Sequence, residues 1–324
     1  SVPIVMEKIY RNKIHPAFTS SPFRAWLYRT KLGKKILNRL AGKQLKKTFG
    51  GHLKFFGLGG SKTDTTVEEF LKDAKFPYAI GYGLTETSPL IAGTTVRQSV
   101  PGWIGYAIPE VEVKIDNPDP KTGIGELLVK GQNVMKGYYR DPELTKNSFT
   151  EDGWFKTGDL FTMDKKGHLA IKGRSKNMIL GASGENIYPE DIEFVLNQHP
   201  LVTESLVVEG EKSSLVAYVQ LDEEKIAAEL QKEQNQNKEG SAIQNLQSAV
   251  AGAVSGLTDA MAYKRAEILN EIKFFVNSSV NKMSRIDKIE PVEGFEKTAS
   301  QKIKRYLYNF ANRGKKEGEV PAGK

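Results

Sequence analysis

The sequence predicts a mixed fold of class α/β with α+β: an α/β piece, a small β-barrel-like piece, and then a smaller α+β domain. Strand-like and helix-like segments alternate up to residue 99, whereas residues 100–171 carry strand-like runs separated by Pro, Gly and Asp turns, with no good helix. Beyond residue 174 both patterns return. We therefore expect domains at 1–174 (divided into 1–99 and 100–174) and at 175–312, with a disordered tail at 313–324.

The amino-terminal region is strongly basic, because residues 8–63 contain 14 Lys or Arg and no Asp or Glu, while the whole chain has a net charge of +8. Its apolar residues recur at roughly helical spacing, which predicts one or two amphipathic helices broken near Gly33 or Gly42. The apolar residues concerned are Phe23, Trp26, Leu27, Ile36, Leu37, Leu40 and Leu45. Two interpretations stay open: the apolar stripe packs on the core, or the surface of residues 23–49 also contacts an anionic membrane. No nucleic-acid partner is expected, since the basic excess is confined to this segment.

Composition excludes several classes of site. The chain has no cysteine, which rules out disulfides and zinc–thiolate sites, and its four histidines are scattered without ligand spacing. No apolar run reaches the roughly 18–20 residues that a membrane-spanning helix needs, and the first residues do not have the layout of a signal peptide. The expected location is the cytoplasm, with peripheral contact at the inner membrane surface under the second interpretation.

The α/β piece ends in a glycine turn that could hold phosphate. A strand in "HLKFFGLGG" and a helix in "TVEEFLKDA" precede a second strand in "FPYAIGYGLTETSPLIAG". Small residues in this turn would let backbone amides approach a phosphate, while Thr85 donates a hydrogen bond and Glu86 holds Mg²⁺. Taken alone the signal is weak, because Gly-x-Gly followed by Thr is common in ordinary turns. The stretch "GLGGSKTDTT" is not a Walker loop, since Ser61 separates Gly60 from Lys62.

Three further polar residues suit nucleotide chemistry. Asp159 in "DGWFKTGDL" follows a glycine at the end of a strand or loop, where a lone carboxylate could accept both hydroxyls of a ribose. Arg174 in "IKGRSKNMIL" offers a planar fork for ribose and phosphate oxygens. Lys302 in "EKTASQKIKR" lies in a polar loop and could neutralise a substrate carboxylate and an α-phosphate together. Between the last two, residues 222–278 read as surface helices joined by a flexible centre.

Six segments occur in the order seen in adenylate-forming enzymes: "YGLTE", "GYYRDPELT", "GWFKTGDL", "GRSKNMI", "GENIYPEDIE" and "KTASQKIKR". From about Phe55 to Tyr308 the chain resembles the long-chain fatty acid–CoA ligases (acyl-CoA synthetases) of this AMP-binding superfamily. The resemblance implies the carboxyl-terminal portion of the large acyl-CoA synthetase domain, followed by a smaller mobile domain. It also implies that ATP, Mg²⁺, coenzyme A and a fatty acid are the partners.

Position by position, the resemblance implies that Gly81, Tyr82 and Gly83 line the adenine and acyl side of the site. Thr85 would contact phosphate and Glu86 would bind Mg²⁺.

For the rest of the site, the resemblance implies that Asp159 holds the ribose with help from Arg174. It places a hinge close to Lys176, about which the second domain swings. In one pose Lys302 completes the adenylation site, and in the other the loop Gly181–Gly184, including Gly184, lines the pantetheine path of coenzyme A.

The chain departs from the family pattern at three points. The family usually has proline before Lys297 and glycine at the position of Gln301, and both differences lie in the loop that carries Lys302. The Ser/Thr/Gly-rich loop that ends in Pro-Lys-Gly and grips the triphosphate is not found, and we expect it upstream of Ser1. A chain without this loop is expected to have little or no ligase activity alone.

Two other functions stay open. One is an adenylate-forming enzyme with another acid or acceptor, such as an aryl-CoA ligase or a peptide-synthetase adenylation domain. The other is a non-catalytic protein that binds nucleotide or lipid with a ligase-like carboxyl-terminal half.

Overall fold

The computed structural model describes residues 3–181, 183–228, 253–298 and 302–309, without the side chains of residues 4 and 253–261. The chain divides into two compact units, Ser1–Lys176 and Asn177–Lys324. The tail predicted at 313–324 and the predicted flexible centre of the 222–278 stretch lie outside the described residues. The assignment of the units as a large-domain portion and a mobile domain stays a prediction.

Helices make up most of residues 3–48 of the first unit. They are α1 (Pro3–Ile9), α2 (His15–Thr19), α3 (Pro22–Arg29) and α4 (Lys31–Thr48), with a π-helical turn at Tyr10–Ile14. The break between α3 and α4 lies at Thr30, three residues before the predicted Gly33, and α4 continues through both Gly33 and Gly42. Thr30 is extended and its hydroxyl accepts from the Gly33 amide, which makes it an N-cap. Gly42 serves packing instead, since a Cβ there would lie 2.5 Å from the Ala74 carbonyl oxygen.

Only part of the predicted apolar stripe faces the interior. Leu45 is buried and Leu37 packs against the same core. The large apolar side chains that remain exposed on α3 and α4 are those of Phe23, Trp26, Leu32, Ile36 and Leu40. Within the first unit, α3 and α4 therefore present an apolar surface surrounded by Lys and Arg.

The predicted strand–helix–strand piece is confirmed. Strand β1 (Phe56–Leu58) pairs in parallel with β2 (Tyr78–Gly83), and α5 (Thr65–Asp73) connects them. The carboxylate of Asp64 accepts from the Thr66 amide and caps α5. Strands β3 (Leu90–Gly93) and β4 (Tyr106–Ala107) extend this sheet in antiparallel fashion.

Strands β5 (Val111–Asp116), β6 (Gly125–Gly131), β7 (Phe155–Met163) and β8 (Leu169–Arg174) form an antiparallel meander. They pair in linear order, and within the part of the chain that the structure describes β5 and β8 do not pair. The predicted small barrel is therefore an open four-stranded sheet. A short helix, α6 (Pro142–Asn147), interrupts a region where no helix was expected. Asp141 caps it by accepting from the Leu144 amide.

The second unit is a three-stranded sheet covered by helices. A short hairpin of β9 (Ile179–Leu180) and β10 (Asn186–Ile187) precedes α7 (Pro189–Leu196). The sheet has the order β11 (Val202–Glu209), β12 (Leu215–Leu221) and β13 (Lys288–Val292), and α8 (Ala253–Ser279) lies between β12 and β13 in the chain. Among the described residues of the whole chain, none of the helices combines the length and apolar character needed to cross a bilayer.

Side chains of β11 and β12 alternate between two clusters, as the period of two in a strand requires. Val207 and Ala217 pack with Ile192 of α7 and Ile272 of α8. The opposite face carries Leu206, Val208, Val216 and Tyr218, which pack with Phe295. Both faces of the sheet are thus covered.

A buried carboxylate lies in the core of the first unit. Glu68 of α5 is 4% exposed, and one of its oxygens accepts from the Gly102 amide at 3.3 Å. Burial raises the pKa of Glu68 to about 8, although the Gly102 hydrogen bond lowers it. The protonated acid is therefore the form that the fold favours.

The raised pKa of Glu68 predicts that the stability of the protein depends on pH. The folded-state pKa of Glu68 lies above the value of 4.5 expected for an unperturbed glutamate. Between about pH 4.5 and 8 the folded protein holds a proton that the unfolded chain releases, so the free energy of unfolding falls as pH rises through this window. Glu68→Gln keeps the hydrogen-bond acceptor and is expected to weaken this fall, by a few kcal/mol at most.

The measurement is thermal unfolding at pH 5 and pH 8. Glu69→Gln, at an exposed neighbour on the same helix, is the matched control and should behave as the unsubstituted protein. A Glu68→Gln protein that loses as much stability between pH 5 and pH 8 as the Glu69→Gln protein would contradict the assignment.

Candidate functional site

Strand β2 ends in a glycine that the local geometry requires. Gly83 lies beside the returning chain, and a Cβ there would be 1.6 Å from the carbonyl oxygen of Pro89. Any larger residue would push apart β2 and the start of β3, which pair through Gly83 and Leu90. Gly81, also on β2, would bring a Cβ to 3.2 Å from the Leu90 side chain. The predicted glycines thus hold two strands close together.

The turn after β2 is fixed by two buried or partly buried polar groups. Thr87 is fully buried, and its hydroxyl accepts from the Leu84 amide at 3.0 Å and lies 2.9 Å from the Pro89 carbonyl. The Asn133 amide donates to the carbonyls of Thr87 at 2.9 Å and Leu90 at 2.8 Å. Because both ends of the turn are tied down, the residues between them have little freedom.

Thr85 and Glu86 lie on this fixed turn. Thr85 is exposed, and among the residues that the structure describes its hydroxyl makes no hydrogen bond. The Glu86 carboxylate accepts from the Tyr138 hydroxyl at 3.0 Å, and its backbone carbonyl accepts from the Met135 amide at 2.8 Å. Partial burial raises the pKa of Tyr138, and the hydrogen bond to Glu86 adds to this.

Glu86 offers a single carboxylate to a metal ion. Within the described ranges, no group of three or more His, Cys, Asp or Glu side chains could hold a metal on its own. Mg²⁺ commonly takes one or two protein carboxylates and completes its shell with substrate phosphates and water. The single carboxylate of Glu86 fits an ion held in that way.

Asp159 lies within β7, not at a strand end as the sequence suggested. Opposite Leu127 of β6, strand β7 carries Thr157, Gly158 and Asp159, because the register shifts between Glu126↔Leu160 and Leu128↔Lys156. Gly158 has φ +69° at this bulge. A bulge re-aims a side chain within a strand, which the sequence pattern did not reveal.

The Asp159 carboxylate is enclosed by protein donors. The residue is 2% exposed, Oδ2 accepts from the Tyr82 hydroxyl at 2.7 Å, and Oδ1 lies 3.0 Å from Nε of Arg174. Arg174 is directly opposite Asp159 on β8. Burial raises the pKa of Tyr82 above its ordinary value, and the Asp159 charge and hydrogen bond raise it further.

This arrangement corrects the expectation of a lone carboxylate open to both hydroxyls of a ribose. Each Asp159 oxygen has a protein partner, so a diol could approach only where a partner gives way. Arg174 has a side chain that is 54% exposed, whereas Tyr82 is 8% exposed and packs edge-to-face on Phe161 at 4.7 Å. The partner that can move is therefore Arg174.

The structure brings the predicted residues of the first unit into two groups. Gly81, Tyr82 and Gly83 precede Thr85 and Glu86 on one strand and turn, and Tyr82 links that strand to Asp159 and Arg174. The predicted hinge residue Lys176 is exposed in a short turn at Ser175–Asn177.

Gly184 and Lys302 belong to the second unit. Gly184 is exposed with φ +81°, and its amide donates to the Gly181 carbonyl. Lys302 is exposed, and its amide donates to the Thr298 hydroxyl at 3.1 Å. Their roles remain those that the resemblance implies.

Sequence reasoning missed three residues of the site: Tyr82 as the donor to Asp159, Tyr138 as the donor to Glu86, and Asn133 as the clamp on the turn. Tyr82 and Tyr138 lie in the quoted segments "GYGLTETSPL" and "GYYRDPELT", but only contacts between segments distant in the chain reveal their partners. Asn133 had no signal at all.

Comparison with known proteins relates this chain to CoA ligases. The family model described as AMP-binding enzyme matches residues 5–139. The long-chain-fatty-acid–CoA ligase FadD15 of Mycobacterium bovis is 34% identical over 65% of this chain and 34% of its own length. The 2-succinylbenzoate–CoA ligase of Staphylococcus aureus is 39% identical over 47% of this chain and 30% of its own length.

Among solved structures, O-succinylbenzoate coenzyme A synthetase of Bacillus subtilis in complex with AMP superposes with a TM-score of 0.59 at 25% identity, covering 81% of this chain and 48% of that protein. The chain spans about a third of the length of the curated relatives named above. The chain is thus matched by the AMP-binding enzyme family model over its amino-terminal part and is similar to acyl- and aryl-CoA ligases in sequence and in fold.

Proposed function

We propose that the protein to which this chain belongs is an ATP-dependent fatty acid–CoA ligase. An oxygen of the fatty acid carboxylate bonds to the α-phosphorus of ATP and pyrophosphate leaves. The sulfur of coenzyme A then attacks the acyl carbon and AMP leaves. The observation that carries the proposal is the enclosed Asp159 carboxylate beside the glycine end of β2, with the Glu86 carboxylate on the following turn.

The turn after β2 receives the phosphates. Gly81, Tyr82 and Gly83 line the adenine and acyl side, where the absence of large side chains at the glycines leaves backbone within reach of a ligand. The exposed Thr85 hydroxyl donates to a phosphate oxygen. Glu86 binds Mg²⁺, with Tyr138 orienting its carboxylate. The ion supplies positive charge to the phosphates when it is bound.

Ribose binding is an exchange of partners at Asp159. The ribose hydroxyls take the place of the Arg174 guanidinium at the carboxylate, while Tyr82 stays in contact and keeps the carboxylate oriented. Arg174 then turns to the ribose and phosphate oxygens. A carboxylate that already accepts one fixed donor needs little reorganisation when the diol arrives.

The second unit supplies Lys302, whose ammonium neutralises the fatty acid carboxylate and the α-phosphate, two groups that repel each other. Gly184 lines the path of the pantetheine arm of coenzyme A. Lys176 serves as the hinge about which the second unit turns between the two half-reactions. The resemblance supports these three roles, and the exposure of all three residues is compatible with them.

Asp159→Ala is expected to abolish the formation of both AMP and acyl-CoA, with a loss of at least about 100-fold, because the ribose loses a charged acceptor. Both products are measured by chromatography in the complete protein. Asp152→Ala removes an exposed carboxylate of the same unit, one that pairs with Lys114, and is the matched control. Activity that survives in the Asp159→Ala protein at the control level would exclude Asp159 from the nucleotide site.

The acid is tested with ATP–pyrophosphate exchange on a panel of medium- and long-chain fatty acids and aryl acids. A long-chain fatty acid is expected to give the fastest exchange, in line with the similarity to FadD15. The similarity to a 2-succinylbenzoate–CoA ligase favours the second candidate, an aryl-CoA ligase. Exchange with aryl acids alone would replace the fatty acid by that substrate class.

The exposed face of α3 and α4 supports a peripheral membrane contact that would deliver a fatty acid from the bilayer. Trp26 is 61% exposed and Leu32 is 72% exposed, between basic residues that carry no acidic neighbours within the segment. Apolar side chains flanked by lysines suit the boundary of an anionic bilayer.

Changing Lys34, Lys35, Lys46 and Lys47 to Glu is expected to reduce binding to anionic vesicles by tenfold or more, because about 1 kcal/mol is gained for each basic residue near such a surface. Sedimentation with phosphatidylserine-containing and purely zwitterionic vesicles measures it. The control changes four exposed lysines elsewhere in the first unit: Lys121, Lys146, Lys165 and Lys166. Undiminished binding of the first variant would defeat the membrane proposal.

A further inference from the structure

The described residues around Lys302 (295–298 and 302–308, here called the Lys302 segment) lie on one face of the sheet in the second unit. Phe295, Ile303 and Tyr308 pack with Tyr218 and its neighbours on the face opposite α7 and α8. The Tyr308 ring lies 5.8 Å from Tyr218 and 5.4 Å from Phe295. Apolar contacts therefore hold the segment against the sheet, but they do not by themselves fix its position along the strands.

Polar contacts fix that position. Nζ of Lys297 lies 2.7 Å from Oε2 of Glu204 on β11. Eight residues later, the Arg305 guanidinium bonds to two groups at once, with Nη2 2.8 Å from Oε2 of Glu193 and Nη1 2.8 Å from the Val207 carbonyl oxygen. The segment is thus attached on either side of Lys302.

The Arg305 contact is part of a closed arrangement at the edge of the sheet. Strand β11 is an outer strand, and Val207 directs its amide and carbonyl away from β12. The amide donates to Oε1 of Glu193 at 2.7 Å, and the carbonyl accepts from Arg305. Glu193 and Arg305 then bond to each other. Three elements, α7, β11 and the Lys302 segment, meet in these three contacts, which we call the Arg305 clamp.

Only an arginine can close the clamp. Two donors in one plane reach two different acceptors, a geometry that a lysine ammonium does not reproduce. The Arg305 side chain is 20% exposed and that of Glu193 is 13% exposed, so the pair is shielded from the screening that weakens surface ion pairs. The clamp therefore holds the backbone of Arg305 in one place.

Backbone hydrogen bonds carry this constraint to Lys302. The Lys304 amide donates to the Glu296 carbonyl at 2.8 Å, and the Thr298 amide donates to the Lys302 carbonyl at 2.8 Å. Lys302 is thus itself bonded through its backbone, and it lies three residues from Arg305. Its side chain stays exposed while its backbone is held.

We propose that Arg305 is a positioning residue for the adenylation half-reaction, because its clamp on Glu193 and Val207 sets the point from which Lys302 reaches the reacting groups. This inference rests on the proposed function, in which Lys302 serves adenylation and not thioester formation. A displacement of about 1 Å in a group that orients substrates can reduce a rate by about 100-fold.

The test separates the two half-reactions in the complete protein. Arg305→Ala is expected to slow fatty acid-dependent ATP–pyrophosphate exchange by about 100-fold, and Arg305→Lys by about tenfold. Conversion of supplied oleoyl-adenylate and coenzyme A to oleoyl-CoA should stay within about twofold. Glu193→Gln should also slow exchange, and combining it with Arg305→Ala should add little, since both act through one clamp. Equal losses in both half-reactions would overturn the proposal.

The matched control is Arg265→Ala, which removes an exposed arginine that pairs with Glu223 in the same unit. It is expected to leave both half-reactions unchanged. A loss of exchange equal to that of Arg305→Ala would show that any arginine of this unit has the effect, and would overturn the proposal.

A second readout does not need activity. Trypsin cleavage after Lys302 is expected to be at least fivefold faster in Arg305→Ala than in Arg265→Ala, with intact protein and fragments quantified by mass spectrometry. Equal cleavage rates would disprove the clamp whatever the enzyme does. If the unsubstituted protein shows no exchange with any acid while cleavage still responds to Arg305, the proposed function fails and the clamp stands.

Discussion

A carboxylate removed from water must find donors within the protein, and in the first unit Asp159 finds them on two different strands. Leaving such a charge unpaired would cost several kcal/mol. Tyr82 comes from β2 and Arg174 from β8, so the same carboxylate ties the first sheet to the second. The apolar cluster that includes Tyr82, Ile91, Leu127 and Phe161 spans both sheets beside it. The position of the glycine turn relative to β7 depends on this junction.

The second unit also contains a carboxylate that is shielded from water, and its partners differ from those of Asp159. Glu193 is shielded from water and is matched by Arg305 and by a backbone amide, where Asp159 is matched by an arginine and a phenol. The difference lies in exposure: the Arg174 side chain is 54% exposed and the Arg305 side chain 20%. The first pair can open without disturbing the core, whereas the second is built into the packing of three elements.

Local patterns in the sequence predicted the elements whose signals are local. The strand–helix–strand order of β1, α5 and β2 followed from short apolar runs and glycine turns. The bulge at Gly158 was not predicted, and the helix break at Thr30 was predicted a few residues too late, because each depends on hydrogen bonds that neighbouring residues in the sequence do not specify. The same holds for the site. Asp159 and Glu86 were identified from motifs in the sequence. Their partners Tyr82 and Tyr138 could not be, because these contacts form only when segments distant in the chain meet in the fold.

One departure from the family pattern acquires a physical meaning. The resemblance led us to expect proline before Lys297, and Glu296 stands there instead. The Glu296 amide donates to the Tyr308 hydroxyl at 2.9 Å, a bond that proline could not form because it has no N–H. This chain thus gains an additional contact between the two ends of the Lys302 segment.

The edge of β11 also affects the tendency of the protein to aggregate. An outer strand with unsatisfied amides and carbonyls is a template on which a strand from another molecule can grow, the first step of many aggregates. At Val207 both groups are already occupied by charged side chains, so an incoming strand would have to displace an ion pair before its ladder could start. Arg305 and Glu193 thereby hinder pairing between this edge of the sheet and another chain. This protection would matter most when newly synthesised chains are at high local concentration.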